Sequence, residues 1–87
     1  LSHCGTDVDI RNVPRLRGVD VVIAGHDHAL FGDPERIRAE GLPFQATRVI
    51  KPYPVRVSDR DGNPVLVVSA REWGRWLGML NVTFDAK

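Results

Sequence analysis

Residues 19–24, which read VDVVIA, constrain the fold of this chain more than any other segment. The run is almost continuously apolar and rich in β-branched residues, which is typical of a strand covered on both faces in a parallel α/β sheet. The rest of the chain supplies too few helices to cover both faces. We therefore expect this segment either to fold poorly alone or to depend on elements contributed by upstream residues.

Two short helical regions are predicted on either side of this strand. Residues 6–9 offer helix-capping side chains, and apolar residues then recur at near-helical spacing at Ile10, Val13 and Leu16. Pro14 interrupts that spacing, so two short helical turns are expected, ended by Gly18. Asp33-Pro34-Glu35 is typical of a second helix start, and Gly41 is its predicted end.

Three further strands are predicted downstream. Residues 53–58 form a half-exposed strand in which Tyr53, Val55 and Val57 alternate with Pro54, Arg56 and Ser58, and Pro54 places that strand near a sheet edge. Residues 59–64 form a turn cluster, which leads into a buried strand at residues 65–68. Alternation at residues 80–85 predicts a last strand. The expected fold class is α/β, with a mixed sheet and short helices.

Composition excludes some functions and leaves others open. The 87 residues make at most one small domain, and 12 basic against 11 acidic residues leave a formal charge of +1. No long basic block is present, so neither a nucleic-acid partner nor a membrane surface is predicted. The apolar runs are far too short to cross a bilayer. Cys4 is the only cysteine and cannot form a disulfide within the chain.

The histidines carry the clearest chemical signal. Gly25-His26-Asp27-His28 follows the buried strand directly, at the end where α/β sheets bind ligands. His3 also lies where a strand is expected to run into a loop. If the two strands are parallel and close together, all three imidazoles meet at one sheet edge and can bind transition metals. The alternative is that these are exposed loop histidines without a function.

Several blocks in the right order resemble one family. The blocks are residues 1–5 (LSHCG), 19–28 (VDVVIAGHDH), 53–55 (YPV), 61–65 (DGNPV) and 74–85 (GRWLGMLNVTFD). They resemble the calcineurin-like metallophosphoesterase domain of 5′-nucleotidases and 2′,3′-cyclic-nucleotide phosphodiesterases. The resemblance implies that residues 1–87 are the C-terminal part of a four-layer αββα domain. The N-terminal half of that domain and any C-terminal substrate domain would be missing.

The resemblance also implies a metal site. His3 and His26 would bind one of two divalent ions, and His28 would bind the other. Zn²⁺ and Mn²⁺ are the expected ions, with Mg²⁺ and Ca²⁺ as alternatives, since imidazole ligation does not distinguish them. The bridging aspartate, an asparagine ligand and a further catalytic histidine belong to upstream blocks that this sequence lacks. No residue of the chain is therefore assigned a catalytic role beyond metal binding, and no substrate-binding residue is assigned.

The implied activity is hydrolysis of small nucleotide phosphate esters, or of other phosphate esters, in nucleotide catabolism. A metal-activated hydroxide would attack phosphorus between two ions about 3.5–4 Å apart. The isolated chain is expected to show only trace phosphatase activity, because its three imidazoles cannot build a bridged pair without a carboxylate. The family is often exported, which implies a periplasmic or extracellular location. The oligomeric state is not predicted.

Two other interpretations stay open. Thr6-Asp7-Val8-Asp9 after the first histidine is also similar to the thiosulfohydrolases of sulfur oxidation, which share the fold and cleave a sulfur ester. Alternatively, the chain as it stands is a non-catalytic metal-binding fragment, because three imidazoles could hold one Zn²⁺.

Other notable residues have simpler structural explanations. Cys4 next to His3 could be an auxiliary ligand, but a lone cysteine is more often a small buried apolar residue. Asp27 could orient an imidazole, but a turn-forming aspartate is the more common case. The remaining candidates are explained by helix capping, by packing or by solvation: Asp7 and Asp9, Trp73 and Trp76, Arg71 and Arg75.

Overall fold

A computed structural model of the chain describes residues 1–39, 49–71 and 77–84. Two α-helices, one 3-10 helix and five strands are assigned in these ranges. In chain order they are α1 (Thr6–Asn12), the 3-10 helix (Val13–Arg15), β1 (Val21–Ile23), β2 (Leu30–Phe31), α2 (Pro34–Ala39), β3 (Val49–Lys51), β4 (Val55–Ser58) and β5 (Pro64–Val68).

The main sheet has the strand order β1-β5-β4. β1 and β5 run parallel, with Val21 opposite Leu66, whereas β4 and β5 run antiparallel, with Val55 opposite Val67. β2 and β3 form a separate parallel pair, which the sequence analysis did not predict. The predicted mixed sheet with short helices is confirmed, and β4 lies at an edge of the sheet as Pro54 indicated.

The central strand β5 carries the core. Val65 and Val67 are fully buried, because this strand is covered by neighbours in the sheet and by elements packed on its face. Val13 of the 3-10 helix, Val22 of β1 and Phe31 of β2 belong to the same apolar cluster. The cluster thereby joins both sheets to the helical segment that follows His3.

The helical break at Pro14 is confirmed, whereas the predicted capping of α1 is wrong. Pro14 lies in the first turn of the 3-10 helix, where its missing N–H costs little. The N-cap of α1 is Gly5, and no side chain of the cap residue bonds to the helix. Asp7 and Asp9 therefore lie in the first turn without capping it. In α2, Asp33 Oδ1 does accept the N–H of Glu35 at 3.0 Å. The predicted end at Gly41 lies outside the described residues.

Strand β1 is shorter and less covered than expected. It spans Val21–Ile23 where residues 19–24 were predicted. Val22 is 9% exposed but Ile23 is 52% exposed, so one face of the strand is buried and the other is open. The described helices and strands therefore cover only one face of β1, and cover on both faces by other residues stays a prediction.

The last predicted strand is not formed. Residues 77–84 carry no strand assignment, although residues 80–84 alternate between apolar and polar side chains. This segment pairs with none of the five described strands. Alternation gives a strand only where a neighbouring strand is available to pair with. Leu80 and Val82 instead line an open groove beside Val21 and Ile23.

The turn between β4 and β5 is organised by one buried carboxylate. Asp59 Oδ1 accepts the N–H groups of Asp61 at 2.9 Å and of Asn63 at 2.8 Å. Gly62 adopts a φ of 82°, which favours glycine at that position. The predicted turn at residues 59–64 is therefore confirmed.

Replacing Asp59 by alanine is expected to lower the free energy of unfolding by about 1–3 kcal/mol, because two backbone donors lose a charged acceptor. Asp59→Asn keeps an acceptor oxygen and should lose less. Asp61→Ala is the control, since it removes only an exposed ion pair with Arg17. Denaturant unfolding of the three variants checks this expectation, and equal losses for Asp59→Ala and Asp61→Ala would contradict it.

Candidate functional site

The segment that carries His3 is fixed to the end of β1. The backbone N–H of Ser2 donates to the carbonyl of Ile23 at 2.9 Å. The hydroxyl of Ser2 donates to Asp9 Oδ1 at 2.8 Å, which ties the same segment to α1. His3 therefore lies at the carboxyl end of β1, beside the loop that begins at Gly25.

His3 and His26 are brought together at this sheet edge. Their ring centroids lie 5.1 Å apart, with an angle of 74° between the ring planes. Gly25 makes the approach possible, because a Cβ at that position would lie 3.3 Å from His3 Nδ1 and 3.6 Å from the carbonyl oxygen of Ser2. A side chain at position 25 would therefore require the His3 ring to shift by a few tenths of an ångström.

His28 lies two residues further along the same loop with an exposed side chain. Across residues 1–39, 49–71 and 77–84, no group of three or more His, Cys, Asp or Glu side chains is placed so that it could hold a metal ion. The assignment of His3, His26 and His28 as metal ligands therefore stays a prediction. What the described residues provide is an adjacent pair of imidazoles.

The loop of residues 25–28, called the histidine loop below, has a strained backbone. His26 has a φ of 84° and His28 a φ of 58°, both in the left-handed region. Residues with a side chain occupy that region at a cost of about 1–2 kcal/mol. Such strain is typical of segments whose side chains serve a function, because it persists only where the surroundings impose it. Sequence reasoning missed this signal.

Asp27, which lies between His26 and His28 in the chain, makes hydrogen bonds that were not predicted. Its Oδ2 accepts the backbone N–H of Thr6 at 2.7 Å and also the Thr6 hydroxyl. Burial alone would raise the pKa of the Asp27 carboxyl. Hydrogen bonds from the side chain and backbone of Thr6, and from the backbone of Ala29, outweigh that effect and lower this pKa below its usual value. The hydrogen bond from the backbone of Ala29, two residues further along the chain, is the one expected of a turn-forming aspartate.

Of the other residues singled out in the sequence, Cys4 departs from expectation. It is exposed, so the interpretation as a buried apolar residue is wrong. Cys4 lies with His3 and Gly5 in the loop that leads from the segment beside β1 into α1, and this loop leaves Cys4 on the surface.

Arg71 is half-buried, although a solvated position was expected. Its backbone has a φ of 65°, and its N–H donates to the carbonyl of Ala29 at 2.8 Å. Trp73, Arg75 and Trp76 lie outside the described residues.

The comparisons with known proteins point to one group of relatives. No family model matches the chain. A probable 5′-nucleotidase of Treponema pallidum (strain Nichols) is 40% identical over 85 residues, which cover 98% of this chain and 13% of that protein. A snake venom 5′-nucleotidase of Crotalus adamanteus is 37% identical over 87 residues, which cover 100% of this chain and 14% of that protein.

The chain is a homologue of the 5′-nucleotidases. A solved structure supports the same relationship: the 5′-nucleotidase precursor of Thermus thermophilus matches with a TM-score of 0.66 and 38% identity. That match covers 83% of this chain and 13% of the Thermus chain. The predicted fold class, an α/β segment of the metallophosphoesterase fold, is confirmed by this 5′-nucleotidase neighbour.

The extent of these matches is as informative as their identity. The chain spans only about a seventh of the length of the 5′-nucleotidases that it matches. The activity and the substrates of the whole protein are therefore a matter for proposal. Within the described ranges, no helix has the length and apolar character needed to cross a membrane.

Proposed function

We propose that the full-length protein carrying these residues is a metal-dependent phosphoric ester hydrolase that acts on nucleotides, as its 5′-nucleotidase relatives are named to do. The observation that carries the proposal is the adjacent pair His3 and His26 at the carboxyl end of a parallel strand. The homology of nearly the whole chain to 5′-nucleotidases supports it.

The chemistry of the donors fits a divalent metal. Neutral imidazole is a good ligand for Zn²⁺ and for similar ions. The His3 ring, from the N-terminal segment, lies edge to face against the His26 ring, which comes from a loop with a strained backbone. Under this proposal His3 and His26 bind one ion and His28 binds a second. The remaining ligands, including a bridging carboxylate, come from elsewhere in the full-length protein.

The role of this chain is then to position ligands. Bound divalent ions would activate water and neutralise charge on the phosphoryl oxygens. The hydrogen bond from Ser2 to Ile23 fixes the His3 segment, and Gly25 leaves room for the His3 ring. A location outside the cytoplasm belongs to the same proposal, because one of the relatives is a venom enzyme by name.

An assay of the full-length protein tests the proposal. The substrates are a nucleoside 5′-monophosphate, a 2′,3′-cyclic nucleotide and a cysteine S-thiosulfonate. We expect release of phosphate from the monophosphate or opening of the cyclic nucleotide. Either activity should be lost after chelation and restored by Mn²⁺ or Zn²⁺, because the imidazole pair needs an ion to act on phosphate.

Two results would count against it. Hydrolysis of nucleotides that survives complete removal of metal would overturn the role given to the histidines. Activity on the S-thiosulfonate alone would assign the protein to the thiosulfohydrolase branch, and inactivity on all three substrates would favour the non-catalytic interpretation.

A further inference from the structure

One carboxylate oxygen joins the two loops that carry the paired histidines. Thr6 follows His3 by three residues, and Asp27 follows His26 directly. Asp27 Oδ2 accepts both the backbone N–H of Thr6, at 2.7 Å, and the Thr6 hydroxyl. Both contacts lie between the two loops, so they bear directly on the distance between the histidine rings. We refer to this pair of contacts as the Thr6–Asp27 clasp.

The Thr6 end of the clasp is rigid. Thr6 is 0% exposed and is the first residue of α1, so it cannot move without moving the helix. The N–H groups in the first turn of a helix have no partner within the helix. Gly5, at the N-cap, has no side chain with which to supply one. Asp27 therefore takes the place of the missing cap from a distant part of the chain.

The Asp27 end of the clasp lies in the strained loop. The residues on either side of it, His26 and His28, both have positive φ angles. A loop in this conformation relaxes unless contacts outside it hold it in place. The hydrogen bonds from Thr6 to the Asp27 side chain are contacts of this kind, because Thr6 lies outside the loop. They are short and charge-assisted.

We propose that Asp27 and Thr6 are positioning residues that hold the His26 ring beside the His3 ring. Neither residue needs to touch a metal or a substrate for this role. The proposal has a structural part, the pairing of the rings, and a part that rests on the proposed function, namely a higher affinity for divalent metal. Contacts that orient metal-binding imidazoles typically change metal affinity about 10- to 100-fold.

The structural part is tested in the metal-free full-length protein by nuclear magnetic resonance. Histidine is labelled with ¹³C, and the signals of His3 and His26 are assigned with a glutamine variant of each. We expect a nuclear Overhauser effect between the two rings in the wild type and its loss in Asp27→Ala. Asp27→Asn and Thr6→Ser should keep the effect, because each retains the hydrogen-bonding atoms of the clasp.

The functional part is tested by titrating the same proteins with Mn²⁺. We expect Asp27→Ala to bind Mn²⁺ about 10- to 100-fold more weakly, and Thr6→Val to lose part of that amount. The double variant Thr6→Val/Asp27→Ala should be no weaker than Asp27→Ala alone, because both substitutions break one clasp. Asp33→Ala is the matched control, since Asp33 also accepts a backbone N–H at a helix start but does so for the other helix, α2.

The outcomes separate positioning from helix stabilisation and from the proposed function. An Asp27→Ala variant that melts at a lower temperature but keeps the ring-to-ring effect and wild-type Mn²⁺ affinity would overturn the proposal. Equal losses in Asp27→Asn and Asp27→Ala, with none in Thr6→Val, would make Asp27 a metal ligand and would also overturn it. If the wild type binds no Mn²⁺, the proposed function fails, and the ring-to-ring effect alone decides whether the clasp positions His26.

Discussion

Replacing His26 by alanine in the full-length protein is expected to reduce metal-dependent release of phosphate from nucleotides by at least about 100-fold. Losing a residue that merely orients a metal ligand typically reduces activity about 10- to 100-fold, so losing His26 should do no less if it is a ligand as proposed. His26 is one of the two imidazoles whose rings lie 5.1 Å apart. Steady-state kinetics with saturating Mn²⁺, together with metal content after dialysis, measures the loss.

The backbone at position 26 supplies an unusually clean control. Alanine at a φ of 84° stays strained, whereas glycine adopts that φ without penalty. His26→Gly should therefore be as inactive as His26→Ala but more stable than it by about 1–2 kcal/mol. If the glycine variant regains activity along with stability, the imidazole is not needed for the reaction and the metal assignment of His26 is wrong.

Replacing Val67 by aspartate is expected to prevent folding. Val67 is 0% exposed in the central strand β5, and an unpaired buried carboxylate costs several kcal/mol. That is a large share of the roughly 5–15 kcal/mol that keeps a domain folded. Soluble yield and thermal unfolding of the full-length protein check this expectation.

Two further substitutions make the result specific to the core. Val67→Ala should lower the free energy of unfolding by about 2 kcal/mol, through lost burial and a small cavity. Arg56 lies on the exposed face of the neighbouring strand β4, so Arg56→Asp should change the free energy of unfolding by no more than about 0.5 kcal/mol. A soluble and stable Val67→Asp protein would show that β5 is not the centre of the core.

Local signals in the sequence predicted the local structure well. The turn around Asp59, the start of α2 at Asp33 and the break at Pro14 each depend on one or two neighbouring residues, and all three are confirmed. Strand β5 was found from its continuous apolar run. The approach of His3 to His26 was also expected, although no strand precedes His3 in the structure and a backbone hydrogen bond from Ser2 to Ile23 holds its segment beside β1.

Features that depend on distant residues were missed. Asp27 bonds to Thr6 across 21 positions of the chain, and no pattern in either segment indicates that pairing. The pairing of β2 with β3 and the exposure of Cys4 are of the same kind. The alternation in residues 80–84 was a true pattern, but whether it forms a strand depends on which sheet edges are free.

The parallel pairing of β1 with β5 has a consequence for synthesis on the ribosome. Val21 emerges early, but its partner Leu66 emerges only after most of this chain has been made. Until then β1 presents an unpaired edge with an exposed Ile23, which is the kind of surface that pairs with other chains. The histidine loop at the end of β1 is thus completed late. A chain cut short before Pro64 would carry all three histidines but would lack β5, whose Val68 carbonyl accepts the N–H of Ala24 just before the loop with His26 and His28.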